Sequence, residues 1–195
     1  MHELPPVSSP ELDAFVPLVR AFAALIEKAR EEEPAVMLTR GHFLIAQLYA
    51  TALKLPSTDI LFAGREDEPE DDDNPIPQFV HDPDHGDQEE WSQLYHGLGR
   101  KFGKWNYYRE VFDPYKPTTE AEVTGSLADD FADIYRDLRS GLRKWDRGDT
   151  GGALWEWRFG LENHWGEHAT GSLRSLHTLA TDYETGWPAT RAGAA

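Results

Sequence analysis

The residues best suited to chemistry fall in two stretches. "LADDFADIYRDLRS", residues 127 to 140, carries Asp130, Asp133 and Asp137 at spacings of three and four. On a 3.6-residue helix that spacing sets the three carboxylates along one flank. "LWEWRFGLENHWGEH", residues 154 to 168, adds Arg158, Glu162, His164 and His168 among four aromatic rings. Carboxylates converging from neighbouring helices are hard oxygen ligands for Mg²⁺ or Mn²⁺, which makes Asp130, Asp133 and Glu162 one candidate metal set. "HWGEH" matches the H-x-x-E-H pattern in which two histidines bind Zn²⁺ and the glutamate acts as base, so His164 and His168 form a separate candidate.

The same residues also have a purely structural reading. A carboxylate on an apolar stripe must find a partner or shift its pKa. Arg158 stands one turn before Glu162, so Asp130, Asp133, Asp137, Arg158 and Glu162 are expected as a polar core cluster whose ion pairs fix the register of two helices. At about 100° per residue, His164 and His168 lie about 200° and 240° around the helix axis from Glu162. On one continuous helix, the glutamate and the histidines cannot share a cage.

Five helices must position these groups. "SSPE" at residues 8 to 11 reads as a capping box with Ser8 as the cap, followed by Leu12, Phe15, Val16, Val19, Phe22, Ala23 and Ile26 on one face. The first helix is expected to reach about residue 31, ahead of Pro34. The second runs roughly over 35 to 54, and the third carries Trp91, Leu94, Tyr95, Leu98 and Phe102. The fourth keeps Leu127, Phe131, Ile134, Leu138 and Trp145 in one stripe, from Ser126 to about Trp145. The fifth is expected as one helix from about Ala153 to Leu179, with Trp155, Phe159, Glu162, Gly166, Ala169, Leu173 and Leu176 as its core stripe. "NYYREVFDPYKP", 106 to 117, reads as an aromatic connector, and no segment alternates long enough to announce a strand. The fold expected is all-α, a single-domain helical bundle over residues 1 to 195, with a tail from 181 to 195.

Composition narrows the function. The 195 residues contain no cysteine, which excludes disulfides, thiolate metal sites and thiol nucleophiles. The net charge of −16 is concentrated: residues 66 to 90 hold twelve acids and no Lys or Arg, an expected long acidic loop between the second and third helices. Within it, "HDPDHGD", 81 to 87, starts like a calcium loop, but its glycine comes too early and no bidentate glutamate follows. No basic stripe supplies the electrostatic attraction that nucleic acids need. No segment approaches the roughly 20 apolar residues of a membrane span, and the start lacks a signal-peptide pattern, so a cytoplasmic protein is expected.

"EVFDPY" (110 to 115), "GSLADDFADIYRDLRSGL" (125 to 142) and "ALWEWRFGLENHWGEHATGSLRSLH" (153 to 177) resemble the bacterial family known as domain of unknown function 5063. The likeness extends from about Leu12 to Leu179 and includes Trp91, Leu94, Leu98 and Gly99. It implies a single helical domain whose last two helices carry whatever matters, and it brings no activity or ligand with it.

Two functions are therefore carried forward. The first is a non-catalytic interaction or regulatory domain that binds an unknown protein partner through its aromatic surface and acidic loop. The second is a divalent-metal-dependent hydrolase acting on a phosphorylated or otherwise anionic small molecule, with Mg²⁺ or Mn²⁺ ahead of Zn²⁺. The lack of a complete catalytic set tilts the balance toward the first, and whether the chain is an enzyme stays open.

Overall fold

A computed structural model of the chain describes residues 5–61, 88–110 and 123–181. Six α-helices make up most of it: α1 Pro10–Glu27, α2 Pro34–Ala52, α3 Gln88–Phe102, α4 Leu127–Asp146, α5 Thr150–Asn163 and α6 Trp165–Thr181. Two four-residue strands, β1 Tyr107–Glu110 and β2 Val123–Ser126, pair antiparallel with Tyr108 opposite Gly125. The fold is all-α, as expected, with one small hairpin that short alternation did not reveal. The acidic run up to residue 87, including 81 to 87, and the tail beyond 181 lie outside the described residues. Among those described, no helix is long and apolar enough to cross a membrane.

Local chemistry sets the helix starts. The cap of α1 is Ser9 rather than Ser8: its side chain accepts from the Leu12 amide, and Pro10 occupies a first-turn position whose N–H would be orphaned anyway. Helix α4 begins under double control. Ser126 Oγ accepts from the Asp129 amide, while buried Asn106 accepts from the Ala128 amide at 2.9 Å through Oδ1 and from the Leu127 amide at 2.8 Å through its backbone carbonyl. Asn106 immediately precedes β1, so one side chain ties the hairpin to the start of α4.

Helix α4 is the central element and packs against α1, α3, α5 and α6. Phe131 sits in its second turn, fully buried, and meets the rings of Phe22 from α1 and Phe102 from α3. The α4–α5 contact is organised by Trp157, whose Nε1 donates to the Leu138 carbonyl at 3.0 Å. Gly141 makes that approach possible, because a Cβ there would lie 2.2 Å from Trp157 Nε1. Trp165 repeats the device one element later by donating to the Trp157 carbonyl at 3.0 Å, and Phe15 packs on both indoles.

The single long C-terminal helix is a correction. The chain leaves helical geometry at His164, with φ −153° and ψ −81°, and resumes as α6 at Trp165. The break changes the phase of everything on either side. Trp157, not Trp155 or Phe159, is the buried face of α5, and Phe159 is half exposed.

Candidate metal centre

Three carboxylates of α4 are buried: Asp130 is 3% exposed, Asp133 6% and Asp137 7%. Buried carboxylates need donors, and the re-phased histidines supply two. His164 Nδ1 lies 2.7 Å from Asp137 Oδ2, and His168 Nδ1 lies 3.0 Å from Asp130 Oδ1. The imidazoles stand edge to face with centroids 4.9 Å apart. Each ring thus has its Nδ1 held by a carboxylate, and His168 turns its Nε2 toward Asp133.

Asp133 lies between the two pairs. Its Oδ1 accepts from Trp91 Nε1 at 3.0 Å and from the Arg136 guanidinium, while its Oδ2 faces His168 Nε2 at 3.8 Å. One ligand atom from each of Asp133, His164 and His168 falls within 4.8 Å of the other two. A carboxylate holding the far nitrogen of each histidine is the arrangement that orients metal-binding imidazoles and fixes their tautomer. In a site of that kind Asp130 and Asp137 would take the supporting position and Asp133 the ligand position.

The hairpin closes one side of the cluster. Tyr108 crosses Gly125 so tightly that a Cβ there would lie 2.4 Å from its ring, and the phenol donates to Asp130 Oδ2 at 2.8 Å. Glu110 approaches through a second gap, since a Cβ on Gly171 of α6 would lie 2.4 Å from Glu110 Oε1 and 2.7 Å from the Tyr108 hydroxyl.

The electrostatics follow from burial and pairing. Burial pushes the Asp130 carboxyl up to about 6 against the opposing hydrogen bonds from His168 and Tyr108. Burial and the Asp130 charge together raise the Tyr108 phenol well above its ordinary value, so it remains a donor. His164 is raised, first by its hydrogen bond to Asp137. For His168, burial pulls downward, but the Asp130 hydrogen bond and the surrounding carboxylates outweigh it, and the imidazole is raised. Burial also raises Glu110 and Asp129. Within the cluster, burial and pairing thus move Asp130 and both imidazoles upward together.

The expected sets are thereby rearranged. Asp133 from the carboxylate set and His164 and His168 from the histidine set come together, with Asp130 and Asp137 behind them. Glu162 and Arg158 do not join. Glu162 projects outward from α5, with 57% of its side chain exposed, and pairs with Arg158 at 2.6 Å. The carboxylate set Asp130, Asp133 and Glu162 is therefore not assembled, and Asp130 pairs with Tyr108 and His168 rather than with Arg158. Glu167, the base of the H-x-x-E-H reading, is exposed. That pattern presumes two histidines on one helix, whereas His164 occupies the non-helical junction. Tyr108, Glu110 and Arg136 were not legible as site residues. Trp91 was visible only as a core position, because nothing in its spacing announces the use of its indole N–H.

A family model described as domain of unknown function (DUF5063) matches residues 7–182. No curated protein matches. The crystal structure of protein BF1032 from Bacteroides fragilis is similar in fold, with a TM-score of 0.66 at 18% identity, covering 89% of this chain and 94% of that one.

Proposed function

The chain belongs to the DUF5063 family, and we propose that the buried Asp/His cluster in this domain is a divalent transition-metal centre serving hydrolysis of a phosphorylated or otherwise anionic small molecule. The observation that supports this reading is the convergence of Asp133, His164 and His168 within 4.8 Å, with the Nδ1 atoms of both imidazoles already held by carboxylates. Two imidazoles and one carboxylate favour Zn²⁺, Mn²⁺ or Fe²⁺ over Mg²⁺, which prefers an all-oxygen shell. Such an ion supplies a nucleophilic water at neutral pH and polarises the bond under attack. The chain's own contribution is to orient the ligands and to offer Glu110, a half-buried carboxyl with a raised pKa, as a proton acceptor beside His168.

The test is metal content of the purified protein, with thermal unfolding in Zn²⁺ and Mn²⁺ and phosphate release from p-nitrophenyl phosphate. At a metal concentration a hundredfold above Kd, stabilisation of about 2.7 kcal/mol is expected, or roughly 5 to 10 °C for a chain of this size. Absence of any shift in the wild type, or an equal shift in the His164→Ala, His168→Ala double variant, removes the metal centre.

A second reading, a protein-interaction domain, is supported by apolar side chains left in solvent. Phe43 is 64%, Leu53 57% and Phe159 50% exposed, and Phe159 stacks on Trp155 at 4.7 Å. Phe43→Ser with Phe159→Ser is expected to abolish co-purification of a partner without altering metal binding. An unchanged set of co-purifying proteins counts against this reading.

A further inference from the structure

Among the described residues, a cavity of about 520 Å³ opens between α1, α3 and α4. Six cations line it, Arg30, Arg100, Lys101, Arg136, Arg139 and Arg143, against only two carboxylates, Glu27 and Glu90. This is a concentration of positive charge in a chain of net charge −16. Arg136 is neutralised from behind by Asp133 and Asp137, and the two lining acids offset little of the rest. Glu27 accepts from the Tyr135 hydroxyl at 3.2 Å, and Glu90 stands 3.8 Å from Arg139 with 68% of its side chain exposed. Arg30 and Arg100 have no carboxylate partner among the described residues.

The guanidiniums are also held in place. Arg136 lies over the Trp91 ring at 5.9 Å and Arg139 over the Tyr135 ring at 5.4 Å. Arg136 Nε makes no hydrogen bond but lies 3.9 Å from Asp137 Oδ1. Planar guanidinium forks match phosphate oxygens in pairs, and the volume suits a small organic ligand rather than a single ion. The overall negative charge repels a long polyanion such as nucleic acid, whereas a small one has to satisfy only the local field.

The geometry points to this cavity as a binding site for a phosphorylated small molecule. Its wall is shared with the candidate metal centre, since Trp91 and Arg136 line the cavity and also contact Asp133. That the bound phosphate is the group acted on at the cluster rests on the metal reading; the binding itself does not.

The test is calorimetric titration of the full chain in EDTA with inorganic pyrophosphate and, separately, with ATP. Binding of either probe is expected, weakened about tenfold by Arg100→Gln or Arg139→Gln and about a hundredfold by the pair, the loss appropriate to one charged contact each. Affinity in the wild type is also expected to fall as NaCl is raised, a readout that needs no variant to fold. Silence with both probes, equal affinity in the double variant, or salt-independent binding overturns the proposal. Retained pyrophosphate binding in the His164→Ala, His168→Ala variant supports it, whatever becomes of zinc. Zinc binding without any anion binding leaves the metal centre standing and the cavity proposal overturned.

Discussion

The His168 imidazole spans two carboxylates of α4, with Nδ1 3.0 Å from Asp130 Oδ1 and Nε2 3.8 Å from Asp133 Oδ2. The two aspartates therefore have different work to do although they lie one turn apart on the same helix. Asp130 sets the tautomer and aim of the ring, and Asp133 faces the nitrogen that remains. Asp130→Asn is expected to weaken Zn²⁺ binding by about 10- to 100-fold, as loss of a carboxylate behind a ligand histidine does. Asp133→Asn is expected to lose binding altogether. Competition titration with a zinc chelator separates them, and equal losses would show that Asp130 is not a supporting residue.

Acidity works in opposite directions on stability and on metal binding. A folded-state pKa above the unfolded value means that the stabilisation is complete below the unfolded pKa, about 6.5 for an imidazole, and disappears as pH rises through the raised folded value. Both His164 and His168 are raised. The metal-free stability gap between wild type and His164→Asn should thus be widest below about pH 6 and shrink above it. Asp130, raised to about 6, adds a contribution of the same sign, lost between its ordinary acidic range and that value. Metal requires unprotonated imidazoles, so Zn²⁺ affinity should climb through the same window. Unfolding curves with and without zinc across this range check both slopes, and a stability gap that widens with pH would contradict the charge assignments.

Gly141 is a packing position, where a Cβ would fall 2.2 Å from Trp157 Nε1 and 2.6 Å from two further indole atoms. Gly141→Ala forces the Trp157 indole away from the Leu138 carbonyl. The expected loss is about 1 to 3 kcal/mol, or roughly 2 to 12 °C in Tm. The opposite tendency of alanine to favour helix, at about 1 kcal/mol, offsets only the low end of that range. An unchanged Tm would show that the α4–α5 contact tolerates expansion.

Glu162→Gln should leave metal binding untouched. The residue pairs with Arg158 in solvent, and an exposed pair one turn apart is worth about 0.3 to 0.5 kcal/mol. Measured zinc affinity that drops with this substitution would return Glu162 to the centre.

The five helices legible in the sequence owed their clarity to different things. Helix α4 reads plainly because one flank is apolar, the other charged, and Ser126 marks its start. The aspartates at 130, 133 and 137 were visible on its flank for the same reason. Helix α5 defeats a stripe reading, because Gly151, Gly152, Ala153, Leu154, Trp157, Gly160 and Leu161 are buried around much of its circumference. Phasing its core from Trp155 and Phe159 therefore placed Glu162 inward. The break at His164 left no proline or positive-φ glycine to announce it. A continuous helix put the histidines on the wrong bearing relative to the aspartates, and the junction corrects that bearing. Strands of four residues, one of them inside an aromatic connector, are too short for alternation to be read, so Tyr108 and Glu110 stayed hidden.

The non-helical residue between α5 and α6 has a mechanical consequence. Of the three groups that converge, one sits at the joint itself, one lies a turn beyond it, and the third belongs to the helix both arms press against. An ion seated among them would tie the joint and the arm beyond it to α4. In that case, removing the ion would loosen the joint between α5 and α6 first.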